Sequence, residues 1–239
     1  MERLQKYMAR CGVSSRRKAE DLIKGVKVSG NDIVAVDDLE IQKNEYKYLV
    51  MNKPRYLISS ANDEKGRDTV ISVLPAVYHD YRLFPVGRLD YDTKGVILLT
   101  NDGEFMNELV GPRSFTEKEY VVRLNGIISK AQLKAMEKGV DIGGYTTRKC
   151  QVTLESIDKK NNSSLVSIIL QEGKYHQVKR MFEAIGFPVK RLTRIRFGSI
   201  TAEGLKEGEV RELTPHEVKQ LLVSAKVEKD YNTYKVRKF

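Results

Sequence analysis

Apolar and polar positions alternate at two different periods along the chain. Near the start, Leu4, Tyr7, Met8 and Cys11 fall at helical spacing and share one face. Gly12 ends that helix, and Ser14 or Ser15 caps a second one that carries Ala19, Leu22 and Ile23 inward. The stretch "VKVSGNDIVAV", Val26 to Val36, alternates around Ser-Gly-Asn-Asp and predicts strand, turn and strand. The polar "EIQKNEYK" then reads as a linker to a larger body that starts near residue 44.

In that body the pattern predicts strands at Tyr48–Asn52, Gly95–Thr100, Tyr120–Leu124, Gln151–Ile157, Ser164–Gln171 and Val189–Phe197. Helices are predicted over "GEFMNELV", over "SKAQLKAMEKGV" with Leu133 and Met136 one turn apart, and over "GKYHQVKRMFEAIGF". In the last of these Val178, Phe182 and Ile185 form the stripe and Gly186 the stop. "TPHEVKQLL" carries a capping box, with Thr214 as N-cap, Pro215 at the first helical position and Glu217 three residues after the cap. Strands and helices do not follow a strict βαβ order, which favours an α+β domain with a mixed, mostly antiparallel sheet.

Charge narrows the partner. Of 239 residues, 42 are Lys or Arg and 32 Asp or Glu, a net charge of +10. A polyanion, nucleic acid above all, fits that surplus; a merely basic surface is the plain alternative. Arg16, Arg17 and Lys18 crowd the predicted first turn of the second helix, where cations oppose the helix dipole unless an anion such as a phosphate sits nearby. Two distant cysteines and three scattered histidines offer no zinc spacing. The first residues lack an apolar signal region, no apolar run reaches membrane-spanning length, and the chain reads as cytoplasmic. Neither G-x-G-x-x-G nor a Walker loop is present.

The candidate chemistry centres on "PVGRLDYDTKGVILLTNDG", where Asp90 stands just before an unbroken apolar run. Three readings are open. Asp90 caps a turn, or pairs with Asp92 as a D-x-D metal ligand, or is an ionised nucleophile or base held by a cation. In the helix after Gly173, with Val178 and Phe182 inward, Lys179 flanks the buried face and reaches a pocket edge, while Arg180 projects roughly opposite, towards backbone phosphates.

Several long segments in order, "RLQKYMARCGVSSRRKAEDLI", "MNKP", "FPVGRLDYDTKGVILLTNDG", "EKEYVVRL", "EGKYHQVKRMFEAIGFPVKRL" and "LKEGEVRELTPHEV", resemble the ribosomal RNA pseudouridine synthases of the RsuA/RluB family, which carry an N-terminal S4 RNA-binding domain. The resemblance implies an S4-like domain over 1–43 and a pseudouridine synthase domain over 44–226; the basic tail over 227–239 interleaves tyrosines with bases and is expected to be mobile or ordered only against RNA. The resemblance makes Asp90 the catalytic aspartate, Tyr120 the ring that stacks on the target uracil, and Lys179 the basic partner of the aspartate. Arg88 becomes the side chain that fills the space left by a flipped base. Lys174, Gln177 and Arg180 join Arg16, Arg17 and Lys18 as RNA contacts, and Thr93, Gly95 and Asn101 shape the loop and strand around Asp90. No cofactor and no metal are implied; the partner is ribosomal RNA or a pre-ribosomal particle, with 23S slightly favoured over 16S, and the chain is expected to act as a monomer.

Two departures accompany the resemblance. Tyr56 follows Lys53-Pro54-Arg55 where the family usually has glycine. Lys24 runs directly into "GVKV", as though a strand and turn on the order of twenty residues were absent, which shortens the S4 region near 24/25. Two other functions fit part of the pattern: a catalytically silent S4-type RNA-binding or ribosome-assembly protein, and a metal-dependent sugar transferase built on Asp90 and Asp92.

Overall fold

The run that follows Asp90 is apolar without interruption because its strand is covered on both sides. In the computed structural model, which describes residues 2–11, 45–229 and 231 and positions 19, 23, 27–28, 35–36 and 39–40, Val96 and Leu98 face one core cluster with Phe105, Leu109 and Leu221. Ile97 and Leu99 face another, with Leu57, Val70 and Leu83. A strand buried on both faces has no polar alternation to show. Each such side chain contributes roughly 1.5–3 kcal/mol when removed from water. A third cluster gathers Val122, Leu124, Leu133, Met136 and Phe182.

At the N-terminal end, strand β1 (Glu2–Arg3) leads into helix α1 (Leu4–Arg10) and pairs antiparallel with β2 (Lys27–Val28). Strand β3 (Ala35–Val36) pairs with β4 (Leu39–Glu40). The two strands expected to form one hairpin at 26–36 therefore take different partners. Met8 and Cys11 are buried as their spacing predicts. Ala19 and Ile23 are helical, and Ala19 is buried. Gly12, Ser14, Ser15, Leu22 and the basic triplet Arg16, Arg17 and Lys18 lie outside the described residues, as does the 24/25 junction.

The body continues with β5 (Tyr48–Lys53), β6 (Phe84–Pro85), β7 (Lys94–Thr100), α2 (Gly103–Val110), β8 (Lys118–Asn125) and α3 (Lys130–Met136). Strands β9 (Gln151–Asp158) and β10 (Ser163–Leu170), helix α4 (Gln177–Ala184), strands β11 (Val189–Phe197), β12 (Ile200–Thr201) and β13 (Val210–Glu212), and helix α5 (Pro215–Ser224) complete it. One sheet runs β13-β5-β7-β11-β8-β10-β9, with β6 and β12 attached to β7 and β11. Only β7 and β11 pair in parallel among the described strands, so the fold is α+β with a mixed, mostly antiparallel sheet, as expected.

The parallel pair explains Gly95. Its φ is 111°, and a β-carbon there would stand 2.0 Å from the Arg194 carbonyl oxygen on β11. Helix ends follow their chemistry. Thr214 and Glu217 close the predicted capping box on α5, and Ser129 with Gln132 forms a second on α3. Helix α4 starts later than the periodicity predicts, since Gly173–His176 is irregular and His176 adopts a left-handed φ of 49°. Gly186, at φ 84°, follows the helix as the expected stop. The first residues of the tail lie against the sheet: Gln171 donates to the Lys229 carbonyl at 2.7 Å and Lys229 Nζ meets Glu117 at 3.0 Å. Residues 232–239 lie outside the described part.

Candidate active site

Asp90 lies in the short loop between β6 and β7, and its neighbours' backbones are held from below. Ser59 Oγ donates to the Leu89 carbonyl at 2.8 Å and accepts from its N–H at 3.2 Å. The Thr93 N–H donates to the Asp90 carbonyl at 3.0 Å and closes a turn. Lys53, at the end of β5, is fully buried and donates to the carbonyls of Pro54 at 3.0 Å, Asp90 at 3.3 Å and Thr93 at 2.8 Å. Burial pulls its pKa down to about 8. This ammonium has no carboxylate at ion-pair distance among the described residues, so its charge is spent on orienting the loop that presents Asp90.

The carboxylate itself points into a cleft of about 550 Å³ lined by Arg88, Tyr120, Lys118, Leu192 and Arg194 among others. Lys179 Nζ, from the third residue of α4, is 2.9 Å from Asp90 Oδ2 and 2.6 Å from Asp92 Oδ1. His176 Nε2 is 3.4 Å from Asp90 Oδ1. Burial, the largest single influence on Lys179, lowers its pKa, but the hydrogen bonds to Asp92 and Asp90 together outweigh it and leave the ammonium favoured. On Asp92 burial works upwards, yet the Lys179 hydrogen bond and charge win and the carboxyl is held below its ordinary value. Asp92 is thus more than a loop residue, since it shares the cation. The two carboxylates are bridged by an ammonium, and no group of three or more His, Cys, Asp or Glu that could hold a metal occurs among the described residues.

Tyr120 stands on β8 opposite Arg194 of β11, half-buried between two core clusters, and lines the same cleft. Arg88 is exposed at the cleft, and no hydrogen bond or ion pair holds its guanidinium among the described residues. A long, planar, uncommitted cation beside the carboxylate is suited to enter a base stack.

The other expected contacts divide. Lys174 is exposed, with Nζ 4.5 Å from the Tyr145 ring centroid. Gln177 is buried and spent on its own loop: it accepts from the Lys174 N–H at 2.8 Å and donates to Glu172 at 2.6 Å. Arg180 does project away from Lys179, but its guanidinium donates to the carbonyls of Ile142 and Gly143. These two side chains fasten α4 and its entry loop to the body instead of standing free for phosphate.

Four further site residues were not singled out in the sequence. Lys53, His176, Lys118 and Arg194 all touch the cleft or the loop that builds it. Arg194 is 2% exposed, donates to the Val96 carbonyl at 2.7 Å, and leaves Nη2 without a partner among the described residues. Burial, reinforced by Arg194, lowers the Lys118 pKa to about 8. The signal for Arg194 lay in the alternation of β11, where it shares the inward parity of Leu192.

Comparison with known proteins bears on the same residues. The family model described as RNA pseudouridylate synthase matches residues 47–184, which contain Asp90, Tyr120 and Lys179. Ribosomal large subunit pseudouridine synthase B of Bacillus subtilis (strain 168) is 44% identical over 235 residues, covering 92% of this chain and 96% of that protein. Dual-specificity RNA pseudouridine synthase RluF of Escherichia coli (strain K12) is 34% identical over 232 residues, 90% of this chain and 77% of that protein. A crystal structure of a pseudouridylate synthase superposes with a TM-score of 0.68 at 29% identity, over 92% of this chain and all of that one. The chain that folds this cleft belongs to the RNA pseudouridylate synthase family.

Proposed function

We propose that the chain converts one uridine of 23S ribosomal RNA to pseudouridine, with Asp90 as the catalytic carboxylate. The observation that carries the reading is the 2.9 Å pair of Asp90 and Lys179 beside a cleft that Asp90 and Tyr120 line. Support for the substrate comes from the relative of Bacillus subtilis, whose name assigns it to the large ribosomal subunit.

The reaction breaks the N1–C1′ bond, turns the uracil and joins C5 to C1′; the proton leaves C5, N1 gains one, and no redox change occurs. Asp90 acts on the sugar, by attack at C1′ or by taking the 2′ proton; both routes start from the carboxylate. Lys179 keeps that group oriented and compensates its charge. Tyr120 stacks on the uracil, beside the C5 proton that must go. Unstacking the target costs a few kcal/mol, which Arg88 offsets by filling the vacated place.

Residues 1–43 serve as an S4-like RNA-binding domain in this reading, with Arg16, Arg17, Lys18 and Lys174 on the RNA. Residues 44–226 are the catalytic domain and 227–239 the basic tail. The enzyme works as a cytoplasmic monomer on ribosomal RNA or a pre-ribosomal particle, with no metal in the chemical step. No helix among the described residues is long and apolar enough to cross a membrane.

The test is pseudouridine formation in a 23S transcript in EDTA. Wild type forms product, and Asp90→Asn forms none while its RNA affinity stays within about twofold, because the amide keeps the shape and loses only the charge. Product from Asp90→Asn, or a strict demand for Mg²⁺ or Mn²⁺ in the chemical step, sinks the assignment.

A further inference from the structure

The rim of the cleft carries aromatic rings that neither the fold nor the proposed chemistry uses. Tyr56 is 66% exposed, Tyr91 49% and Tyr175 67%. Tyr91 directly follows Asp90 and lines the cleft, and the Tyr56 N–H donates to its carbonyl at 2.6 Å. The two rings lie 5.5 Å apart. On the other segment Tyr175 stacks on His176, centroids 3.8 Å apart and planes 20° from parallel, and His176 reaches Asp90. One aromatic pair therefore sits on each of the two segments that bring Asp90 and Lys179 together.

Both pairs are held by uncomfortable backbones. Tyr56 has a φ of 63° and His176 a φ of 49°. A residue with a β-carbon is disfavoured there, most of all a bulky one. Strain of that kind persists where the surroundings over-determine it, but the Tyr56 ring is mostly in solvent, with the Tyr91 ring tilted 59° beside it. Packing does not explain why a tyrosine occupies this left-handed position; an external partner for the ring does.

We infer that Tyr56–Tyr91 and Tyr175–His176 are two stacking platforms for the unpaired bases that flank the target uridine. The inference rests on the proposed RNA substrate and adds the surface that grips its neighbours. A uridine can enter the cleft only if it leaves its stack, and the bases on either side then lose a face that an aromatic ring can cover. Such contacts tolerate many sequences, since every base offers a π-face, and they carry no charge.

The measurement is RNA binding by the full chain to a 23S transcript, over a series of KCl concentrations. Tyr56→Ala and Tyr175→Ala each weaken binding on the order of 10-fold, with the salt slope unchanged, whereas Tyr56→Phe and Tyr175→Phe stay within about twofold. Tyr56→Gly melts at a higher temperature than wild type, since the backbone strain is gone, and binds RNA as weakly as Tyr56→Ala. Alanine variants that bind like wild type, or phenylalanine variants that fail like alanine, overturn the inference; so does a lower melting temperature for Tyr56→Gly, which would make the ring a structural prop. Asp90→Asn run alongside separates the two ideas. If it binds and forms no product while the tyrosine variants are silent, the platforms are wrong and the catalytic assignment stands. If it still forms product, the catalytic assignment falls whatever the tyrosines do.

Discussion

Neighbouring residues on one helix, Lys179 and Arg180, do opposite work. Lys179 spans Asp90 and Asp92, and Arg180 is turned through about 100° onto the carbonyls of Ile142 and Gly143. Lys179→Met is expected to lower single-turnover pseudouridine formation by about 10²–10³-fold, in line with losing one preorganised charge at a reacting centre. The folded state should suffer little, because the pair is partly open to solvent. Arg180→Met should behave the other way. Its activity stays within a few-fold of wild type, and it loses about 1 kcal/mol in urea unfolding as two carbonyls lose their donor. Equal activity losses in the two variants would reject this division. Periodicity alone placed Lys179 at the pocket edge, since its flanking position beside Val178 and Phe182 is a matter of helical angle. What Arg180 touches depended on a loop more than thirty residues away in sequence, between α3 and β9, and no local pattern specifies that contact.

At the scale of elements, the loop that presents Asp90 is an outcome of one unusual strand pairing. β7 carries Asp90 on its leading loop, and β11 runs beside it in parallel with Arg194 opposite Gly95. The chains approach so closely that a β-carbon at Gly95 would overlap the Arg194 carbonyl, in a backbone with φ 111°. Gly95→Ala is therefore expected to cost about 3 kcal/mol or more, through combined overlap and backbone strain. Its remaining folded fraction should show reduced turnover, since moving β7 moves Asp90 against Lys179. Urea unfolding and single-turnover assays on one sample check both effects; full stability would place the close approach elsewhere. Much of this scale was legible. The capping box at Thr214 and Glu217, the apolar double-sided strand and the mostly antiparallel sheet all follow from local chemistry. The parallel junction did not, because strand order depends on which distant segments meet. Nor did the late start of α4, since nothing in "GKYH" announces a histidine with positive φ. Lys53 shows the same limit: a lysine ending an apolar strand looks like a solvated strand end, and only the folded loop supplies the carbonyls that bury it.

On the scale of the whole molecule, the +10 charge separates grip from chemistry. Around Asp90 two cations are committed, Lys179 to two carboxylates and Lys53 to three carbonyls, while Arg88 and Lys174 stand exposed at the cleft. Phosphate binding also draws on basic residues elsewhere in this reading, and the triplet Arg16, Arg17 and Lys18 is the densest such cluster near the start of the chain. If these residues meet RNA phosphates, each releases counterions on binding, and the dependence of log K on log salt becomes shallower when they are removed. With about 0.7 per phosphate contact on single strands, replacing all three by alanine should flatten the slope by about 2. At saturating enzyme the same variant should form pseudouridine at the wild-type rate, because the reaction is proposed to run on Asp90 and Tyr120, which line the cleft from other segments. The rival account, a basic helix face that only meets solvent, predicts an unchanged slope and unchanged affinity. A third outcome, slower product formation at saturation, would mean that the N-terminal residues help to seat the uridine in the cleft. Binding isotherms across a salt series, paired with saturating single-turnover rates, distinguish all three, since the salt slope reads the phosphate contacts and the saturating rate reads the seated uridine.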